Sequence, residues 1–330
     1  MRSFIRAYPT EARLFAVLVA ICLFLSLASD SFFTLGNFAS LLNNNSVNVI
    51  WAVGLLVVLI AGGIDISFAV AASVVQYLCV YAFEAIGGGG WVIGFLVAGG
   101  IGITIGFINA ALIHRFRIIS IVVTIATYNA MFGLLMFITS GRYLYNLPEW
   151  WTNRVTIFET QTAQGTWVEL ALPVAVMAGA MAATWFLIRH TTTGRQLFAF
   201  GDNPEGARRA GINIALMQFV AFGWMGLMAG IGGLMQAHIV QEVVPNALIG
   251  RELDVLAAVV LGGARLGGGR GSVLGCFLGV LLVAVTQNGL NLLGVSPFAF
   301  KMVVGVIILS AISMSNLKLA GLVKVMRGGR

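Results

Sequence analysis

The chain has 330 residues, 59% of them hydrophobic and only 9% charged, and it carries a formal net charge of +7. About a quarter of an ordinary soluble domain is charged, so a water-soluble fold is excluded, and a mean hydropathy of +0.96 agrees. The apolar residues fall in long runs, and a hydrocarbon core of about 30 Å asks for roughly 20 such residues per helix.

Lipid offers backbone groups no hydrogen-bond partner, so these runs are helices. The alternation over segments of about 10 residues that marks a membrane barrel is missing. Spans are expected near residues 14–31, 45–62, 67–85, 91–113, 118–138, 170–189, 215–238, 253–263, 272–293 and 298–317. The first follows Arg2, Arg6 and Arg13 and ends in Ser-Leu-Ala, as a secretory signal does. With a multi-span body behind it, it reads as an uncleaved anchor. Segment 253–263 offers only about 11 positions before Arg265, too few to cross unaided. It reads as half of a broken helix or as a re-entrant segment, tolerated only against protein or a water-filled cavity. The expected fold is an all-α polytopic transmembrane helix bundle of eight to ten spans, one domain over 1–330.

The charges give an orientation. With the N-terminus taken as cytoplasmic, Arg142, Arg154, Arg251 and Lys301 fall outside, and all the others of the 19 basic residues fall inside. That bias fits an even number of spans with both termini cytoplasmic. The basic excess is therefore a topology signal, and a nucleic-acid partner is not expected. Two hydrophilic stretches follow: an extracytoplasmic loop over 140–168 and a basic cytoplasmic loop over 189–214. Trp150, Trp151 and Trp167 in the first suit an interfacial lid or a docking surface for an external partner. Glycines recur at spacings of four (Gly102 and Gly106, Gly226 and Gly230, Gly271, Gly275 and Gly279). Small residues so placed let helix backbones approach, within one bundle or at a subunit interface.

Groups that could carry catalysis are scarce. His114, His190 and His238 stand far apart, no HExxH or GxSxG occurs, and Cys22, Cys79 and Cys276 are isolated in apolar runs. No catalytic site, metal site or bound cofactor is expected. The glycine-rich stretch 262–272 has no P-loop lysine, so nucleotide energy must come from another chain. Ionisable groups are also rare in the spans: Asp65, Glu84 and Asp254 are read at span edges, with Lys301 one turn into the last. That argues against a proton-driven carrier. The spans hold neutral polar groups instead, among them Asn43, Asn44, Asn45, Asn48, Gln76, Asn109, Thr124, Thr127, Asn129, Gln287, Asn288 and Asn291. Amides and hydroxyls both donate and accept without net charge, which suits a path for a neutral polyhydroxylated solute. Hydrogen bonding between helices is the other use for them.

Two segments stand above composition. In Gly62-Gly63-Ile64-Asp65-Ile66-Ser67 the glycines can end one helix, and Asp65 or Ser67 can cap the next. In the stretch 193–213, Asp202 or Asn203 can cap a short helix with Pro204 first and Glu205 in its first turn, and Gly211 can end it. A short capped helix between two spans is a natural lever for a cytoplasmic motor.

On these residues the chain resembles the permease subunits of ribose-type sugar ABC importers, a family that includes the autoinducer-2 permeases. Gly62, Gly63, Asp65 and Ser67 match its GGIDLS signature, with Ile66 for leucine. Asn203, Pro204, Glu205, Gly206, Ala207 and Gly211 resemble its coupling segment, on whose EAA-type positions such permeases engage their ATPase. Gly262 and Gly263, with the glycines up to Gly271, resemble its LGG…GGxGS stretch, and Gly106–Ala110 resembles GxxNG. The departures are Gly206 for alanine, Asp202 for a small residue or glycine, Ile119 for proline, Ala126 for glycine and Ala110 for glycine. The resemblance implies a multi-pass protein of the bacterial inner membrane that carries a sugar or sugar-like solute by alternating access. It implies two permease subunits, identical or homologous, a periplasmic solute-binding protein, and separate ATPase subunits holding ATP and magnesium. An ion-coupled secondary transporter, an intramembrane enzyme, or an ABC permease for amino acids or nucleosides are the rival expectations.

Overall fold

The computed structural model describes residues 9–161, 165, 167–296, 299, 300, 302, 303, 305 and 306. Most of the expected span over 298–317 lies outside these residues, as do Arg2, Arg6, Lys301, Lys318, Lys324, Arg327 and Arg330.

The bundle is built from α1 (Pro9–Ala28), α2 (Leu35–Ile60), α3 (Phe68–Ile86), α4 (Trp91–Phe116) and α5 (Ser120–Thr139). A short α6 (Glu149–Thr152) and the antiparallel pair β1 (Thr156–Gln161) and β2 (Trp167–Ala171) follow. Then come α7 (Leu172–His190), α8 (Thr192–Asp202), α9 (Pro204–Arg209), α10 (Ile214–Val240), α11 (Arg251–Leu261) and α12 (Val273–Leu292). Eight of these helices are long and apolar enough to cross a membrane. The architecture is an all-α polytopic bundle, with one small hairpin in the loop between α5 and α7.

Helix α2 is the axis of the bundle. Every residue from Val49 to Ile60 is buried, as expected of a helix apolar all round. It packs against α10, α7, α12 and α11. By contrast α1 and α5 lie at the periphery and expose Leu23, Phe24, Leu27, Phe137 and Ile138, side chains suited to lipid. The tightest helix pair is α4 with α10. A methyl on Gly226 would overlap the Gly102 carbonyl, and one on Gly106 would overlap the Phe222 carbonyl. This glycine spacing thus serves contacts inside one chain.

The bundle has two distinct ends. At one lie the β1–β2 hairpin, α6 and the bridge between Leu144 and Val243. At the other, Ser272 Oγ donates to Glu11 Oε1 at 2.7 Å, and the Gly269 amide donates to the Ile60 carbonyl at 2.9 Å. Helix α11 therefore descends from the hairpin end toward the other. Its 11 residues rise only about 16 Å. The turns over 241–250 and 262–271 supply the rest, buried against protein at Val243 and Leu248. The short eighth segment is thus a broken crossing and not a re-entrant one. Nine crossings are present among the described residues.

Two expectations are corrected. Helix α2 begins at Leu35, not near 45: Thr34 caps it by accepting from the Asn37 amide at 3.3 Å, and Asn43 further along is held by protein. Asn43 donates to the Glu169 carbonyl at 2.8 Å and accepts from the Ala171 amide at 3.0 Å, pinning β2 to α2. Nor do Trp150 and Trp151 form a lid. Trp151 is fully buried and donates to the Leu234 carbonyl at 2.9 Å, with Trp150 stacked on it. Only Trp167 of the three is exposed.

Replacing Gly226 by alanine drives a methyl into a backbone, at a cost of about 1–3 kcal/mol. The melting midpoint of the purified chain in detergent should fall. Gly100→Ala, which meets open space, should leave it unchanged or raise it.

Candidate functional site

At the end opposite the hairpin, the single short helix expected over 203–211 is the second of two. Thr191 caps α8 by accepting from the Gly194 amide at 2.9 Å. Asn203, extended at φ −150°, caps α9 by accepting from the Gly206 amide at 2.9 Å, with Pro204 as first helical residue. Gly211, at φ +81°, lets the chain turn out, and the Ile212 amide donates back to the Ala207 carbonyl at 3.0 Å. Ala207 is buried beneath, while Glu205 is exposed and pairs with Arg208 at 3.0 Å and Arg209 at 3.3 Å. Surface pairs of this kind contribute roughly 0–1 kcal/mol, so Glu205 can change partners at little cost.

Helix α8 meets the bundle backbone to backbone. Any side chain on Gly201 would overlap the Ile60 carbonyl at the end of α2. Gly268, at φ +87°, fits against the Gly201 carbonyl in the same way. The loop holding Gly268 and Gly269 leads directly into α12. Gly262 sits against Gly275 of α12, and Gly263 against Thr10.

The Gly62–Ser67 segment forms a clasp. Gly62, at φ +79°, terminates α2. Asp65 is buried, and its Oδ1 accepts from the Ser67 amide at 2.8 Å and the Ser67 hydroxyl at 2.7 Å. Ser67 stands at the α3 N-cap but makes no capping bond with its side chain. Instead its hydroxyl accepts from Asn109 Nδ2 at 2.9 Å. Ser120 accepts from the Ile64 amide at 2.9 Å, and Thr124 donates to the Ile64 carbonyl at 3.3 Å. The clasp thus joins α2 and α3, at their ends opposite the hairpin, to α4 and α5.

Midway along the bundle, α2, α11 and α12 wall a half-open cavity of about 190 Å³. Asn45 and Asn48 come from α2, Arg251, Asp254, Val255 and Ala258 from α11, and Val280, Val283 and Gln287 from α12. A recess of about 310 Å³ shares Asn45, Asn48, Arg251 and Gln287, and adds Asn44, Asn288 and Asn291. Spacings of three and four bring these amides to one face of each helix. Asn288 exchanges two amide hydrogen bonds with Asn37, at 3.1 and 2.8 Å.

Of the eight path candidates, Asn44, Asn45, Gln287 and Asn288 are brought together here. Asn43, Asn109 and Thr124 are held in the contacts above, and Gln76 donates to the Gly233 carbonyl at 2.8 Å, bridging α3 and α10. Those four do not line the cavity; three of them have their polar atoms engaged by neighbouring backbone or side chains, and Asn109 donates to Ser67 while its buried Oδ1 has no hydrogen-bond partner among the described residues. The two charged residues of the wall were misplaced in the sequence reading. Arg251, expected outside, lines the cavity and donates to Gln236 Oε1 at 3.0 Å. Asp254, expected at a span edge, faces the same space. The signal was the spacing 251, 254, 255 and 258, one face of a helix.

A family pattern described as "Branched-chain amino acid transport system / permease component" matches residues 37–312. The ribose import permease protein of Escherichia coli (strain K12) is 31% identical over 325 residues, 96% of this chain and 97% of that protein. An autoinducer 2 import system permease protein of Photorhabdus luminescens is 28% identical, covering 90% of this chain and 87% of its own length. A galactose/methyl galactoside import permease protein of Escherichia coli (strain K12) is 26% identical, covering 97% of each chain. No solved structure matches.

The clasp and the cavity should answer differently to substitution. Ser67→Ala leaves a buried carboxylate and a buried amide each short of a partner, a loss of about 1–3 kcal/mol, and should lower the melting midpoint. Asn44→Ala, on the open recess, should not. Equal melting of the two variants would contradict the distinction.

Proposed function

This chain belongs to the branched-chain amino acid transport system / permease component family, and from that membership we propose that it is the membrane-embedded permease of an ABC importer for a sugar or sugar-like solute. As a multi-pass protein of the bacterial inner membrane it supplies the passage, and a separate ATPase, binding ATP and magnesium, supplies the energy. The relatives named for ribose, galactose and autoinducer 2 import support the solute class. So does a cavity walled by amides, which exchange hydrogen bonds with hydroxyls.

The orientation follows from charge. Arg13, Arg115, Arg117, Arg189, Arg195, Arg208, Arg209, Arg265 and Arg270 lie on the α8–α9 side, against Arg142 and Arg154 on the hairpin side. The first is the cytoplasmic side, where the ATPase docks on α9 through Glu205. The hairpin side then faces a solute-binding protein. A second permease, identical or homologous, completes the passage.

One observation carries the mechanism: α8 touches both the end of α2 and the loop that enters α12, and these two helices wall the cavity with α11. A push on α9 travels through α8 to the cavity wall without an intervening flexible side chain. Two packings of the wall, open to opposite sides, give alternating access.

Glu205→Lys reverses the charge offered to the ATPase. Uptake should be abolished and ATPase co-purification weakened, with normal amounts of the chain in the membrane. Gln287→Leu should lower uptake while the ATPase still co-purifies. Unchanged uptake by the first variant would remove the docking assignment.

A further inference from the structure

Arg251 and Asp254 stand one helical turn apart on α11 and share the cavity with amides from two other helices. We propose that this cavity is a solute-binding station inside the membrane, where Asp254 accepts hydrogen bonds from the hydroxyls of a neutral polyol and Arg251 donates to its remaining oxygens. This deepens the sugar-importer reading and rests on it for the solute class.

Arg251 and Asp254 carry opposite charges, so the pair gives neither a net anion nor a net cation a net attraction, and a zwitterion has to match the spacing of both groups. A neutral polyol offers a donor and an acceptor at each hydroxyl and satisfies both charges. Arg251 cannot simply swing away, because Gln236 on α10 holds its Nη1 at 3.0 Å. Asn45, Asn48 and Gln287 supply further donors and acceptors from the facing helices, and Val280 and Val283 give an apolar floor. A few convergent polar groups over an apolar floor is the usual make-up of a small-molecule site. A passage that only wets its solute needs no charged pair, and charge inside a membrane protein is rare without a role.

The test uses the solubilised permease–ATPase complex without any binding protein, with labelled D-ribose, D-galactose and L-leucine as probes in equilibrium dialysis. One sugar should bind wild type, and Asp254→Asn should weaken it at least about tenfold, the scale of one hydrogen bond to a charged group. Among singly deoxygenated analogues of that sugar, one should bind wild type as weakly as the parent binds Asp254→Asn, and should lose less than about twofold more on the variant. Equal binding of the parent sugar to both proteins overturns the station, as does a full further loss for every deoxy analogue. Should Asp254→Asn fail to assemble with the ATPase, Asn48→Ala on α2 reads the same cavity, and unaltered binding there counts against the station equally. Uptake by the intact importer separates the two levels. Sugar uptake with no Asp254-dependent binding overturns the station alone, whereas uptake and binding of L-leucine in place of both sugars overturn the sugar reading and the polyol site with it.

Discussion

Two backbones come into direct contact only where no side chain stands between them, and in lipid that close packing takes over the work that hydrophobic burial does in water. Among the described residues, three of these contacts matter most here. Gly102 and Gly226 join α4 to α10, Gly262 and Gly275 join the end of α11 to α12, and Gly201 sits on the Ile60 carbonyl beneath Gly268. The first two make the bundle. The third fastens the α8–α9 element to the end of α2, and in the proposed mechanism movement reaches the cavity wall through that contact. It is stiff because a peptide carbonyl has no rotamers to absorb a displacement.

The cavity wall has a packing arrangement of its own. Most buried apolar residues form one large cluster around α2, α3 and α10, but α12 also shares a separate cluster with α1, built on Leu14, Leu18, Leu25, Leu278 and Leu282. Glu11 reaches across to Ser272 at the start of α12. One face of α12 is thus backed by α1 while the other lines the cavity, and the loop before it is held by α8. On the far side of α2, the clasp around Asp65 and Ser67 fixes α3, α4 and α5 to one another. A moving wall needs a fixed frame, and these two hydrogen-bonded and packed groups divide those roles.

Much of this was readable from residue order. Long apolar runs located the spans because lipid permits only helices there, and the left-handed glycines Gly62 and Gly211 fell where helices end. What was not readable depended on neighbours. The run Asn43–Asn45 marks the edge of the expected span, yet the helix reaches back to Leu35, with Asn43 bonded to β2. Asn109 and Thr124 have the chemistry of a polar path, yet only the fold shows that Asn109 donates to Ser67 and Thr124 to the Ile64 carbonyl. Trp150 and Trp151 resemble an interfacial belt until Leu234 and His238 enclose Trp151. Arg251 is expected outside because the rule of single unbroken crossings has no place for a loop that dips into the bundle before its helix begins.

The most direct test of the transport account is solute uptake per ATP hydrolysed, measured in vesicles holding the permease and its ATPase, for wild type and for Gly201→Ala. A methyl at 201 must push α8 off the Ile60 carbonyl. The predicted result is no uptake without the ATPase and, in the variant, a ratio lower by about tenfold or more, the effect of a loss of roughly 1.4 kcal/mol in coupling. Uptake by the chain alone, or a wild-type ratio in Gly201→Ala, would contradict it.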